Sequence, residues 1–193
     1  MPKKSKTQEP VANSKEKSAG APATGTDQRV AAKSAGKPVS MSVSEIVEIV
    51  LPNDANLLGN MLGGRVMHLI DIAGALAASR HSNCPVVTAS VDYLDFRFPI
   101  RVGEWIVLKS SVNRVFTTSM EVGVKVFAEN TLTGERRHTS TAYVTYVALD
   151  MNKNPCGVPP LILETEEERR RFREAGARRQ HRLEVRYKET LKE

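Results

Sequence analysis

Residues 63–81 are apolar on almost every side, with Val66, Met67, Leu69, Ile70, Ile72, Ala73, Leu76 and Ala77 leaving no continuous polar stripe. At ~1.5 Å per residue a helix of this length reaches nearly 30 Å, and one apolar all round belongs in an interior. The rest of the chain must therefore wrap it. Four β-rich segments follow, at 86–97, 105–116, 120–129 and 136–149. They are divided by Pro99 and Gly103, by Thr117-Thr118, and by the turn Thr133-Gly134. Their lengths suit a strongly curved antiparallel sheet. No helix lies between them, which argues against a doubly wound parallel sheet, because parallel neighbours need long crossovers. Before the helix, residues 43–51 alternate, with Val47, Ile49 and Leu51 on one face and Ile46, Glu48 and Val50 on the other. Pro52-Asn53 stops that strand. The fold class is α+β, with one long central helix wrapped by a curved antiparallel sheet over residues 41–163.

The flanks differ in kind. Residues 1–40 are rich in Ala, Ser and Lys, as transit peptides are, but Glu9, Glu16, Asp27 and scattered Gly and Pro spoil an amphipathic helix. They are expected to form a disordered basic arm. Pro155, Pro159 and Pro160 mark a linker, after which residues 164–193 read as a charged helix. Thr165 and Glu168 form a capping box there, and Glu166, Glu167 and Glu168 complement the helix dipole. An interruption is expected near Gly176, with the helix resuming to about residue 192.

The net charge of +6 belongs to these flanks: residues 1–40 carry +5, 164–193 carry +2, and the body between them carries −1. The body thus has no general attraction for a phosphate backbone, and no nucleic-acid partner is expected. Cys84 and Cys156 are the only cysteines and lack zinc-ligand spacing, so neither a structural metal nor a disulfide scaffold is expected. No apolar run approaches the ~20 residues that cross a bilayer, and the N-terminus lacks the apolar centre of a secretory signal. These features favour a cytoplasmic protein.

Chemistry concentrates in residues 54–71. Asp54-Ala55-Asn56 leads through Gly59-Asn60 to Gly63-Gly64, which opens the helix, and Asp71 follows two turns on. A helix N-terminus offers unpaired N–H groups to a developing oxyanion, and glycines let a substrate approach them closely. A carboxylate among small apolar residues is suited to act as a base or nucleophile. On a 3.6 period Asp71 shares its face with Gly64, Met67, Gly74, Ala75 and Ala78. This combination points to acyl transfer or hydrolysis. Ser90 and Ser119 lack a nucleophile elbow, Cys84 has no positioned base, and no phosphate-binding glycine loop is present. His68 is expected to be packed or to lie in an interface.

The ordered set of motifs resembles the acyl-CoA thioester hydrolase branch of the hotdog-fold thioesterases. It runs from Asp54-Ala55-Asn56 and Gly63-Gly64 through Asp71 with Gly74, Arg80-His81, and the stretch Val87-Thr88-Ala89-Ser90-Val91-Asp92. It continues with Phe98-Pro99-Ile100, Thr118-Ser119-Met120-Glu121-Val122, Thr133-Gly134-Glu135 and Val158-Pro159-Pro160-Leu161. The resemblance implies hydrolysis of fatty acyl-CoA to free acid and coenzyme A, with coenzyme A part of the substrate and no separate cofactor. It implies a homodimer, formed through sheet edges and assembled as a trimer of dimers. Each site would take Asn56 from one subunit and Asp71 from the other, with the N–H of Gly64 or Arg65 polarising the carbonyl. Coenzyme A contacts are expected at Thr88, Ala89 and Ser90 for pantetheine, and at the hydroxyl-rich turn Thr118-Ser119 for the nucleotide. Candidate phosphate partners are Arg80, His81, Arg97, Arg101, Arg114 and Arg137. At that turn Val115-Phe116 departs from the family's usual basic residue or glycine. The competing readings are a non-catalytic acyl-CoA-binding or sensing hotdog protein and, more weakly, a dehydratase of the same fold or a protein tethered to nucleic acid by its basic arm.

Overall fold

The computed structural model describes residues 35–190 apart from position 93. Element order is β1 (Lys37–Pro38), β2 (Ser44–Ile49), α1 (Gly63–Ser82), β3 (Val86–Val91), β4 (Trp105–Val115), β5 (Ser119–Glu129), β6 (Arg136–Ala148), β7 (Leu161–Ile162) and α2 (Glu166–Thr190). Five strands form one antiparallel sheet in the order β2-β4-β5-β6-β3, so β2 and β3 are its edges. The sheet curls around α1, giving the hotdog arrangement.

Strand alternation builds the core. Ile106, Leu108 and Val112 of β4, Met120, Val122, Val124 and Val126 of β5, and Ala142, Val144 and Tyr146 of β6 turn inward onto Leu69, Ile70, Ala73 and Ala77 of α1. Along β2 and the two residues that follow it, the inward set is Ile46, Glu48 and Val50, whereas Val47, Ile49 and Leu51 stand exposed. The helix is not enclosed on every side. Met67 and Ile72 are 48% and 43% exposed, because the curled sheet covers one side of α1 and leaves the other open. β3 is shorter than the expected 86–97. It carries a bulge between Thr88 and Ser90 and ends at Val91, and Asp92 is held by Arg182 through contacts of 2.6 and 2.8 Å.

Both flanks differ from expectation where they are described. Residues 1–34 of the expected arm lie outside the described residues, but Lys37–Pro38 form β1, paired in parallel with β7, and a 3-10 turn follows at Val39–Ser42. The cause is tertiary: the N–H of Lys37 donates to Pro160 O (2.9 Å) and its ammonium to His81 O (2.8 Å). The C-terminal helix begins with the expected box, the N–H of Glu168 donating to Thr165 Oγ1 (3.2 Å) and the N–H of Thr165 to Glu168 Oε2 (3.0 Å). It does not break at Gly176. A Cβ there would sit 2.1 Å from Arg114 Nη1, so the glycine makes room for an arginine that donates to Phe172 O (3.2 Å). The helix lies across the convex face of the sheet. Arg178 reaches the fully buried Glu121 (2.7 Å) and covers the Tyr143 ring, while Phe116, the departure noted at the turn, lies under Arg114 and Arg179.

His81, at the last turn of α1, is fully buried with Nε2 2.9 Å from Pro159 O. Burial holds the imidazole below the usual histidine range; the Pro159 carbonyl opposes that and the Lys37 charge adds to it. The folded protein therefore keeps the ring neutral, while the unfolded chain takes up a proton near 6.5. Stability is full above that pH and falls as pH drops through the window down to the folded-state value. The wild-type urea midpoint should fall faster than that of His81→Gln between about pH 7 and 5. Parallel pH profiles for the two proteins would sink this assignment.

Candidate active site

The loop before α1 is fixed by its own polar groups. Asn56 Oδ1 accepts from the N–H groups of Leu58 (2.9 Å) and Asn60 (3.2 Å), and the backbone N–H of Asn56 donates to Asn60 O (2.8 Å). Gly59 sits at φ 73°, a conformation that favours glycine, and its carbonyl accepts from Val102 N–H (3.0 Å). With Oδ1 committed to the loop, the hydrogen-bonding capacity of Asn56 left for a ligand is the donor group at Nδ2. Arg65 braces the loop from the helix side, against Glu48 (2.9 Å) and Asp54 (3.3 Å).

At the helix start Leu62 occupies the cap position without a side-chain cap bond, and its carbonyl accepts from the N–H groups of Arg65 (2.9 Å) and Val66 (3.1 Å). Those two N–H groups are therefore taken. The first-turn donors left for a ligand are those of Gly63 and Gly64. Both glycines are exposed, and space beside Gly64 is open, with nothing within 4 Å of a Cβ built there. A cavity of about 370 Å³ opens here, lined by Asn56, Asn60, Gly63, Phe96, Arg97 and Phe98 among others.

Asp71 is half-buried two turns further on. Thr88 Oγ1 donates to its carboxylate at 2.5 Å, and Tyr146 Oη lies 2.9 Å from its backbone carbonyl and 3.3 Å from Oδ1. Burial first, then the charge of Asp71, pushes the Tyr146 phenol far above its usual range, so it remains a donor. Tyr146 is the site-region residue that sequence reasoning missed. Its signal was a polar tip in the inward register of β6, between Val144 and Ala148. Gly74 acquires a further reason to be glycine, because a Cβ there would lie 2.3 Å from Tyr146 Oη.

The other expected contacts are scattered. Thr88 faces inward and is engaged by Asp71; Ala89 is the bulge; Ser90 pairs with Thr145, whose hydroxyl accepts from Arg182 on the convex side. Ser119 pairs with Val147, one register step from the inward Met120 and Tyr146, so it stands on the face opposite Asp71, and Thr118 lies in the turn. Arg80 is bound locally, donating to Val43 O (2.9 Å) and Ser44 Oγ (2.8 Å). Arg114 and Arg137 have partners in Phe172 and Glu104, His81 is buried, and Arg101 is exposed and outside the cavity lining although its backbone bridges Asn60; Arg97, paired with Asp95 at 3.3 Å, is the candidate cation in the cavity beside Asn56. His68 is exposed in the single subunit, not packed. Among the described residues no group of three or more His, Cys, Asp or Glu is placed to hold a metal ion, and no helix is long and apolar enough to cross a membrane.

The family model of the thioesterase superfamily matches residues 58–135. An uncharacterized acyl-CoA thioester hydrolase of Bacillus subtilis (strain 168) is 44% identical over 119 residues, 62% of this chain and 69% of that protein. The cytosolic acyl coenzyme A thioester hydrolase of Rattus norvegicus is 37% identical over 142 residues, which are 72% of this chain and 37% of the rat protein. Among solved structures, an apo-hexameric acyl-CoA thioesterase is 41% identical with a TM-score of 0.76, covering 78% of this chain and 97% of its own. The acyl-CoA hydrolase of Staphylococcus aureus, solved with butyryl coenzyme A and coenzyme A, is 31% identical with a TM-score of 0.75, covering 81% of this chain and 95% of its own. Variants of that protein carry alanine for an asparagine, an aspartate fifteen residues later and a threonine seventeen residues after that, the separations of Asn56, Asp71 and Thr88 here. This chain belongs to the acyl-CoA thioester hydrolases of the thioesterase superfamily, enzymes that cleave thioesters.

Proposed function

We propose that the protein hydrolyses fatty acyl-CoA to free fatty acid and coenzyme A at sites shared between the two subunits of a homodimer, with three dimers assembling into a hexamer. The observation that carries the shared site is a separation along one helix. Gly64 and Asp71 are seven residues apart, about 10 Å along α1. One thioester carbon cannot lie within ~3 Å of both a Gly64 N–H and the Asp71 carboxylate of the same helix. A second α1 running antiparallel alongside brings the glycines of one subunit to the aspartate of the other. The open side of α1 suits such a neighbour, with Met67 and Ile72 exposed on it.

In this arrangement the Gly64 N–H and the positive end of the α1 dipole polarise the thioester carbonyl, and Asn56 Nδ2 donates beside it. Asp71, held by Thr88 and Tyr146, either takes a proton from the attacking water or attacks the carbonyl itself to give an anhydride that water then opens. The sulfur of coenzyme A leaves in both routes. The free edge of β3 suits pairing with pantetheine amides, and Arg97 is placed beside the cavity for a phosphate. No metal ion is needed for these steps. The name of the rat relative supports a cytoplasmic location. The alternative reading as a non-catalytic acyl-CoA sensor is disfavoured by the two donors aimed at the Asp71 carboxylate, an arrangement that passive binding does not need.

Thiol release from a panel of acyl-CoAs of different chain length is the direct test, and absence of turnover on every one would favour the sensor. For the shared site, Asn56→Ala and Asp71→Ala subunits are expected to be nearly inactive alone. Mixed and shown to form heterodimers, they should recover up to a quarter of wild-type activity, since about half the pairs are mixed and each has one intact site. Lack of recovery in proven heterodimers would place both residues in one subunit's site.

A further inference from the structure

The chain's only two cysteines, 72 positions apart, meet in the fold. Cys156 Sγ lies 3.2 Å from Cys84 Sγ, in hydrogen-bond rather than covalent contact. Cys84 lies at the exit of α1, just after Asn83, whose left-handed conformation (φ 53°) ends the helix, and just before Pro85 and β3. Cys156 lies between β6 and β7 and is tied back by its N–H to Ala148 O (2.9 Å). Both are half-buried, so small solutes have access while the backbone holds them in place. A disulfide requires the sulfurs to come together to ~2.05 Å, a closure of roughly 1 Å from their present contact.

The Lys37 ammonium is held at the end of α1 by the carbonyls of Arg80 (3.3 Å) and His81 (2.8 Å), close enough to interact electrostatically with Cys84.

We propose that Cys84 and Cys156 are a reversible redox pair, oxidised by a peroxide to an intramolecular disulfide that pins the exit of α1 and the start of β3 to the segment between β6 and β7. The Cys84 thiolate attacks one oxygen of hydrogen peroxide, breaking the O–O bond and leaving a sulfenic acid with loss of hydroxide. The Cys156 sulfur then attacks the Cys84 sulfur and displaces the sulfenic oxygen as a second hydroxide. The two thiol protons convert both hydroxides to water. Two thiols lose two electrons, and one peroxide gains them. The dithiol is the resting form in a reducing compartment, and a reducing dithiol restores it. This pair is independent of the thioesterase reading, since neither sulfur takes part in the proposed hydrolysis.

The full chain is treated with a small excess of hydrogen peroxide at neutral pH, alkylated under denaturing conditions and weighed intact. A product two hydrogens lighter, not alkylated, monomeric on a denaturing non-reducing gel and restored by dithiothreitol is expected. Digestion should yield one peptide pair joined through residues 84 and 156. The oxidised protein should melt on the order of 10 °C higher than the reduced one, because the cross-link closes a long loop. Cys156→Ser should form no such product and should instead accumulate oxygen on Cys84. Two alkylated thiols after peroxide treatment, oxygen added to the wild-type cysteines without a cross-link, or cross-linking only between chains would overturn the proposal.

Discussion

Alanine at Asp71 should lower kcat on acyl-CoA by about 1000-fold, the loss expected when a general base or nucleophile is removed, equivalent to ~4 kcal/mol of transition-state stabilisation. KM should change little, because the carboxylate acts on water or carbonyl carbon rather than on the coenzyme A moiety. The local geometry sets a graded series. Asp71→Asn keeps the shape and the contacts to Thr88 and Tyr146 but loses the charge, so it should be nearly as inactive as the alanine variant. Thr88→Val leaves the carboxylate in place but unrestrained, and a fall in kcat of about 10- to 100-fold is expected with KM retained. Tyr146→Phe should cost less activity and roughly 1 kcal/mol of stability, the net value of one buried hydrogen bond. Steady-state thiol release with all four variants measures the series. Asp71→Ala turning over like wild type would remove the carboxylate from the chemistry and with it the mechanism proposed above.

The largest stability effect is expected on the convex face. Arg178→Ala should destabilise the protein by about 3 kcal/mol and lower its melting temperature by roughly 6–12 °C, because it strands Glu121. The Glu121 side chain is fully buried, and its oxygens accept from Arg178 at 2.7 and 3.1 Å and from Asn113 Nδ2 at 3.1 Å. Without the guanidinium a buried carboxylate keeps a single neutral donor, and α2 also loses its contact with the Tyr143 ring. Changing Glu121 to Gln in the same chain should restore part of the loss, since a neutral amide tolerates the site. Arg178 is partly exposed, so the figure lies at the low end for a broken buried pair. Thermal melts of the single and double variants decide the matter, and a shift under about 2 °C for Arg178→Ala would mean that water already solvates Glu121.

Much of the fold was legible because its signals are local and agree with one another. The helix beginning at Gly63, the turns at Thr117-Thr118 and Gly134, and the box of Thr165 and Glu168 all stand where sequence placed them. The failures share one cause. β3 stops early where Asp92 meets an arginine 90 positions on, Gly176 is filled from β4, and Lys37 is fixed by the end of α1 and the segment before β7. Each depends on a partner that no window of sequence contains. Within the site, the loop of Asn56, the glycine pair and Asp71 were legible because residue type and spacing suffice to suggest their chemistry. The Thr88 and Tyr146 contacts were not, because they depend on β3 and β6 lying side by side over α1.

The pairing of β1 with β7 makes the body of the domain nearly a closed ring. Lys37 sits opposite Leu161, so the point where the chain enters the body and the point where it departs toward α2 are neighbours. A short linker could join them, and new ends could be opened at the exposed turn around Leu132 without cutting a strand. Seen this way, the order in which the strands occur along the polypeptide is an accident of where the ring was opened. The closeness of Thr88, Tyr146 and Asp71 belongs to the ring itself.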